Sequence, residues 1–271
     1  MKISVITWDG GFRERFHTVD CFTNQDLPVD SYEFIWSEYG SSVPPQLQSK
    51  VASKANARIV HVNGQGNYHV GRCMNAGIAA STGELLVLID GDVVADSGFL
   101  ARMWELHTRS MDLVTFVRRW DQREKDNRPD SSIEHLREVC QLGNPTNYGG
   151  CQVLRRATLA RANGFETHPL FDGPAPVSRD LYIRLMNLGL PIAWLASEKV
   201  CHPWHPGTLA MHDTLQQRQQ AWVIKCRSQS LDTLANPQQV DQYLDGFVED
   251  HFEVLVRKVR RLVWRSRRHL R

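Results

Sequence analysis

Asp90-Gly91-Asp92 follows the apolar run Leu85-Leu86-Val87-Leu88-Ile89 with nothing between them. Five apolar residues bounded by Thr82-Gly83 and by the acidic triplet read as a strand buried on both faces, as in a parallel sheet. Ligands of open α/β sheets gather beyond the carboxyl ends of such strands. Two carboxylates there, one small residue apart, can share a divalent cation, and that cation can hold a diphosphate. Metal-assisted transfer from an activated nucleotide is the chemistry these residues suggest. An Asp-Gly turn capping a strand is the plain alternative. Cys201-His202-Pro203-Trp204-His205-Pro206 follows another apolar segment, where neutral imidazoles of His202 and His205 suit a Mn²⁺-like ion beside carboxylates. The prolines make this a loop, so helical zinc spacing does not apply. Phosphate cradles of the P-loop and dinucleotide kinds are absent, which leaves a diphosphate to be held by metal and side chains.

The elements that must position these residues alternate in type. Ile3 to Ile6 reads as a strand, and Phe12, Phe16, Val19 and Phe22 recur at helical spacing up to about Gln25. Tyr32 to Trp36 reads as a second strand, the segment from Gly40 to Pro45 as loop, and Ala57 to Val62 as a third strand. Val70, Cys73, Met74 and Ile78 share one face of a helix ending near Gly83. The triplet strand comes fourth, a helix capped at Asp96-Ser97 runs to about Thr108, and Leu113 to Val117 is another strand. The pattern predicts a doubly wound, mostly parallel α/β sheet flanked by helices over residues 1 to about 118. Residues 120 to 132 are polar and without apolar period, which predicts a mobile surface loop. A short helix follows from Ser132 to Leu142. Beyond it come a Gly/Asn-rich stretch through Gly149-Gly150 and a turn of helix over Thr158 to Asn163, stopped by Gly164. A helix from Ser178 to Leu188 and a strand from Pro191 to Val200 complete residues 119 to 210 as the second half of one domain.

In this order the segments resemble the GT-A-fold glycosyltransferases of family 2 and their galactosyltransferase-like relatives. The resemblance rests on Ser4-Val5-Ile6-Thr7, Glu38-Tyr39-Gly40-Ser41, Arg72-x-x-Asn75-x-Gly77-Ile78 and Gly83-Glu84 through Asp92. It continues in Gly164-Phe165, Arg179-Asp180-Leu181-x-x-Arg184-Leu185-x-x-x-Gly189 and His202-x-x-His205. It implies a GT-A (Rossmann-like) fold and transfer of a sugar, with inversion, from a nucleotide-sugar donor, a UDP-sugar above others, to a hydroxyl of a glycan or lipid-linked acceptor. It implies nucleotide-sugar contacts at Thr7, Trp8, Glu38, Arg72, Asn75, Asp90 and Gly91, with Mn²⁺ or Mg²⁺ on Asp92 and Asp90 joined by His202 or His205. Glu38 stands where the family has a pair of aspartates. Asp180 is the expected general base, because an inverting displacement needs a carboxylate near the acceptor hydroxyl. Arg179 replaces the family's glutamate before it and is expected, with Gly149, Gly150 and Trp204, on the acceptor side. As plain alternatives, Asp180 is a helix-start acid paired with Arg184, and the aromatic residues Trp8, Tyr148 and Trp204 simply pack.

Charge divides the chain unevenly. Of 32 lysines and arginines, eight fall between Arg257 and Arg271 with no acid among them, leaving 24 basic against 30 acidic side chains elsewhere. A basic patch over the body, which nucleic-acid binding would want, is absent. From Leu244 onward Val248, Phe252, Leu255, Val259 and Leu262 step by three or four, so residues 211–271 are expected to form a helical extension ending in a basic amphipathic helix. Such a helix suits an anionic membrane surface, or packs on the domain or a partner. Six scattered cysteines and the lack of a leader or spanning segment point to a cytoplasmic protein, peripheral on the inner face of the membrane if the tail docks there. Two rival readings are a sugar nucleotidyltransferase, which would carry a glycine-rich basic loop after the first strand, and a non-catalytic membrane-docking protein on the same scaffold.

Overall fold

A computed structural model describes residues 1–13, 15–64, 68–128, 131–143, 147–167, 171 and 177–205. The expected helical extension and basic tail lie outside these residues. No helix among the described residues is long and apolar enough to cross a membrane.

Eight strands form one sheet: β1 (Ile3–Asp9), β2 (Tyr32–Glu38), β3 (Ala57–His61), β4 (Leu85–Asp90), β5 (Val114–Asp121), β6 (Gln141–Leu142), β7 (Cys151–Arg155) and β8 (Ile192–His202). The order is β3-β2-β1-β4-β7-β5-β6, with β8 along the other side of β5. β1 to β4, β5 and β8 run one way, and β7 and β6 run against them. The carboxyl ends of β1, β2, β4, β5 and β8 therefore open on one edge, where Asp9, Glu38, Asp90, Asp121 and His202 end their strands.

Alternation along β4 explains the two-layer core. Leu85, Val87 and Ile89 face a cluster that includes Val19 and Phe22 of α1 (His17–Thr23), Leu47 and Val51 of α2 (Pro45–Ala52), Phe99 and Met103 of α4 (Phe99–Arg109) and Leu136 of α5 (Ile133–Val139). Leu86 and Leu88 face Cys73 and Met74 of α3 (Val70–Ala80), Leu159 of α6 (Arg156–Arg161) and Leu181 and Leu185 of α7 (Val177–Asn187). Every residue from Leu85 to Ile89 is fully buried, so truncating one of these leucines to Ala should cost about 2–5 kcal/mol. α3 lies close against the sheet because Gly77 leaves room: a Cβ there would stand 2.5 Å from Ser37 Oγ and 2.6 Å from Ile6 Cγ2.

Several expectations change. α1 starts at His17, not near Phe12, which is exposed and packs edge-on against Tyr68. α2 stands where only loop was expected up to Pro45 and nothing after it; Pro45 sits at its first position, where a missing N–H costs nothing. β5 runs on through Trp120 and Asp121, pairing with β6 and β8, so the expected loop begins two residues later and includes a 3₁₀ turn at Glu124–Asp126. β7 was not expected at all, yet it joins the halves on either side of residue 118 into one sheet.

Candidate functional site

The site is built at the strand ends. β4 delivers Asp90 and the following turn delivers Asp92, while β8 delivers His202 and the next loop His205. A short antiparallel bridge between Val94 and Cys201 ties the two segments together. As a result Asp92 Oδ2, His202 Nε2 and His205 Nε2 form a triangle with sides of 3.5, 3.3 and 3.2 Å. For metal–ligand bonds near 2.1 Å, adjacent ligand atoms lie about 3.0 Å apart in octahedral and about 3.4 Å apart in tetrahedral geometry. The triangle fits a small divalent cation, and no other group of three or more His, Cys, Asp and Glu among the described residues fits in this way. Asp92 Oδ1 is buried and has no hydrogen-bond partner, so the carboxylate keeps one acceptor in reserve.

Asp121, at the end of β5, takes part from behind. Its Oδ1 lies 3.2 Å from His202 Nδ1 and 2.9 Å from Arg119 Nε. A proton on Nδ1 held by Asp121 leaves Nε2 as the ligand atom. Burial alone would lower the His202 pKa, but hydrogen bonds to Asp121 and Asp92 outweigh it and push the group up to about 9. Burial likewise would raise Asp92, yet Arg13 and the two histidines hold it well below the usual carboxylate range. Asp90 moves the other way: burial and the charge of Asp92 raise it, with Arg119 Nη1 3.8 Å away as partial compensation. One carboxylate of the triplet is thus firmly ionised and the other is the more basic.

Gly149 and Gly150 lie directly against the triplet, because the Asp90 N–H donates to the Gly150 carbonyl at 3.2 Å. A Cβ on Gly149 would stand 3.7 Å from both Asp90 Oδ1 and Ser178 Oγ, so the first turn of α7 closes this corner. Thr7 is fully buried beneath Gly91, and its Oγ1 has no partner. Arg179 extends over the Tyr148 ring at 5.7 Å, on the same side as Gly149. The Trp204 N–H donates to Gln122 Oε1, which fixes the loop between the histidines.

Other expected residues are used elsewhere. Trp8 is buried in the core on the α3 side, so its ring is not available for stacking on a ligand. Asn75 clamps the backbone of Phe165, donating to its carbonyl at 2.8 Å and accepting from its N–H at 2.9 Å. Arg72 Nε donates to the Thr167 carbonyl. Both residues therefore fasten α3 to the segment after α6. Glu38 ends β2 opposite Asp9, fully buried, and accepts from Trp36 Nε1 and the Gly40 N–H. Burial, with Asp9 beside it, raises its pKa.

Asp180, the expected general base, is paired with Arg184. It is fully buried, and its Oδ2 lies 2.8 Å from Arg184 Nε and 2.7 Å from Arg184 Nη2. Arg184 in turn donates to the carbonyls of Ala162 and Gly164. This i,i+4 pair locks α7 to the end of α6.

Two neighbours were not among the expected site residues. Asp9 ends β1 with a fully buried carboxylate, and Arg13 bridges it to Asp92, with Nη1 2.7 Å from Asp9 and Nη2 3.1 Å from Asp92. The rule that ligands collect beyond strand ends points to Asp9 as directly as to Asp90. A cleft of about 750 Å³ opens beside the triad, with Pro203, Gln122 and His17 on its wall; His17 Nε2 lies 3.1 Å from the Asp92 carbonyl.

Comparison with known proteins agrees with this architecture. No curated protein matches the chain. Among solved structures, S. aureus TarS superposes with a TM-score of 0.57 at 16% identity, covering 76% of this chain and 37% of TarS. GalNAc-T7, solved with UDP, GalNAc and Mn²⁺, gives 0.61 at 10% identity over 82% of this chain and 47% of that one. The mannosyltransferase PcManGT from Pyrobaculum calidifontis, solved with GDP-Man and Mn²⁺, gives 0.56 at 17% identity over 90% and 69%. At these identities the likeness is one of fold, and the chain spans less than half the length of the first and second of these proteins. A profile described as Glycosyl transferase family 2 matches residues 18–163, which is more than half of the 271 residues. The sheet, the acidic strand end and the matched span agree, and the chain belongs to glycosyl transferase family 2.

Proposed function

We propose that this protein is a metal-dependent glycosyltransferase that moves a sugar from a nucleoside-diphosphate sugar to a hydroxyl of a glycan or lipid-linked acceptor, with inversion, in surface polysaccharide assembly. The observation that carries the reading is the triangle of Asp92, His202 and His205 at the edge where β1 and β4 end. These three would hold Mn²⁺ or Mg²⁺, and a bound cation supplies neutralisation of the charge that develops on the departing diphosphate. TarS and GalNAc-T7 structures contain UDP-GlcNAc or UDP, and PcManGT contains GDP-Man, which supports a nucleotide-sugar donor.

This chain's own residues do the rest. Asp121 orients His202, and the ionised Asp92 needs no proton removed before it can ligate. Thr7 Oγ1 lies against Gly91 and Asp90 Oδ1 against Gly149, where a ribose or phosphate would find a hydroxyl and a carboxylate. Gly149 and Gly150 let a sugar approach the backbone closely. The 750 Å³ cleft lies within the size range of ligand sites, and Arg15, Lys50 and Arg128 on its lining suit an acidic acceptor.

A thermal-shift series with UDP, GDP, CDP and TDP, each with and without Mn²⁺, tests the reading. One diphosphate should raise Tm only when Mn²⁺ is present, and Asp92→Asn should lose that rise while its own Tm stays near wild type. Equal shifts with and without metal, or an unchanged response in Asp92→Asn, would remove the metal assignment.

A further inference from the structure

Arg13 occupies the approach to the cation triangle. It follows Gly10-Gly11 in the segment between β1 and α1, and Gly11 has φ +75°, a conformation that a side chain would strain. From there the guanidinium passes over Gly91, where a Cβ would meet Arg13 Nε at 3.0 Å. It ends between Asp9 and Asp92, with a further contact from Nη1 to the Trp8 carbonyl at 3.4 Å. Burial would weaken the charge of Arg13, but Asp92 and Asp9 outweigh it and strengthen its hold on the proton.

The contact with Asp92 uses Oδ2, the same oxygen that closes the triangle with His202 and His205. A cation seated there would face a guanidinium 3.1 Å from its carboxylate ligand. Around Gly91 three buried polar atoms have no partner: Arg13 Nε, Thr7 Oγ1 and Asp92 Oδ1. Each such orphan is destabilising and rare in a finished structure. Together they offer an N–H, a hydroxyl and a carboxylate oxygen to one small space. That set is complementary to a phosphate group accompanied by a cation, the phosphate accepting from the first two and the cation taking the third.

We propose that Arg13 is a diphosphate-binding residue that also holds the metal position against bare cations. With the site empty it neutralises Asp9 and Asp92. When a cation arrives with a nucleoside diphosphate, the guanidinium leaves Asp92, keeps Asp9 as its anchor and turns its donors to the phosphate oxygens. Fork geometry favours this, because a guanidinium pairs with phosphate through two parallel N–H bonds. The exchange couples two ligands that meet at one residue: the metal alone must displace Arg13, whereas the metal with diphosphate gives Arg13 a new partner. Coupling of this kind is reciprocal and commonly amounts to about 5–150-fold.

The inference rests on the nucleotide-sugar reading, and binding measurements on the whole chain separate the two. Mn²⁺ alone, and UDP or GDP in the presence of Mn²⁺, are titrated calorimetrically into wild type, Arg13→Gln and Arg13→Lys, with Tm measured for each. Arg13→Gln should bind Mn²⁺ alone about tenfold more tightly than wild type and the nucleoside diphosphate with Mn²⁺ about tenfold more weakly. Arg13→Lys keeps the charge without the fork, so it should hold bare Mn²⁺ near the wild-type affinity and still lose diphosphate affinity; it carries the test if the glutamine variant does not fold. Unchanged Mn²⁺ affinity in Arg13→Gln, or undiminished diphosphate affinity in both variants, overturns the role of Arg13. A wild type that binds neither diphosphate would overturn the donor reading instead.

Discussion

Asp121 sets the orientation of His202, with Asp121 Oδ1 3.2 Å from Nδ1 while Nε2 on the far side of the ring faces Asp92 at 3.5 Å. Loss of such a supporting carboxylate typically weakens metal affinity 10–100-fold. Asp121→Asn should therefore lower Mn²⁺ affinity by about that factor while leaving the far-ultraviolet dichroism unchanged. Wild-type affinity in this variant would show that the histidine is placed without it.

Proton competition gives metal binding a pH dependence. His202 must be neutral to ligate, and against burial Asp121 and Asp92 push its pKa up to about 9. Below that pH each unit of acidification should weaken Mn²⁺ binding up to tenfold, and binding should release a proton. Calorimetry at pH 7.5 in two buffers of different ionisation enthalpy reads the proton count directly. Affinity that stays constant from pH 6.5 to 8.5 would take His202 out of the ligand set.

Asp180→Asn separates a structural carboxylate from a catalytic one. Removing one partner of a buried ion pair costs about 3–5 kcal/mol, and at about 2–4 °C per kcal/mol for a chain of this size the Tm should fall by roughly 10 °C. Replacing both Asp180 and Arg184 with leucine should recover part of the loss. A variant with wild-type Tm and no turnover would restore Asp180 as the acceptor's base.

His107 makes the fold sensitive to acid. It is fully buried, lies 3.0 Å from Thr115 Oγ1, and is lowered to about 4 by burial and by the charge of Arg155, against 6.5 unfolded. The folded state thus favours the neutral ring, so this contribution is complete above about pH 6.5 and is lost as pH falls towards 4. By pH 4.5 the loss amounts to roughly 2.5 kcal/mol. Urea midpoints of wild type and His107→Gln at pH 7 and pH 4.5 should differ in their pH slope by that much; parallel slopes would remove the effect.

What could be read in the sequence follows from how local each signal is. β4 was plain because five apolar residues buried on both faces need no context. β7 was hidden because Cys151–Arg155 carries Gln152, whose Nε2 donates to the Tyr148 carbonyl, and Arg155, whose Nη1 pairs with Glu84. Its place between β4 and β5 buries it, and a residue scale does not contain that information. Asp92, His202 and His205 were legible as ligand types, yet their convergence needed the bridge between Val94 and Cys201. Asp121 and Arg13 were not among the expected site residues: one lay in a segment read as loop, and the other only in Asp9-Gly10-Gly11-Phe12-Arg13, a poor version of a glycine-rich basic loop. The partners of Asn75, Arg72 and Asp180 could not be read in the sequence, because a polar residue gives no local sign of the distant backbone segment it fastens.

The backbone hydrogen bond from the Asp90 N–H to the Gly150 carbonyl reaches beyond its own strength. It rivets the acidic turn to the glycine pair, so a shift in one segment is passed to the other. Under the proposed function, grafting a different 147–150 segment to change the recipient would thereby tilt Asp90 as well, and efforts to retune one preference should carry the other with it.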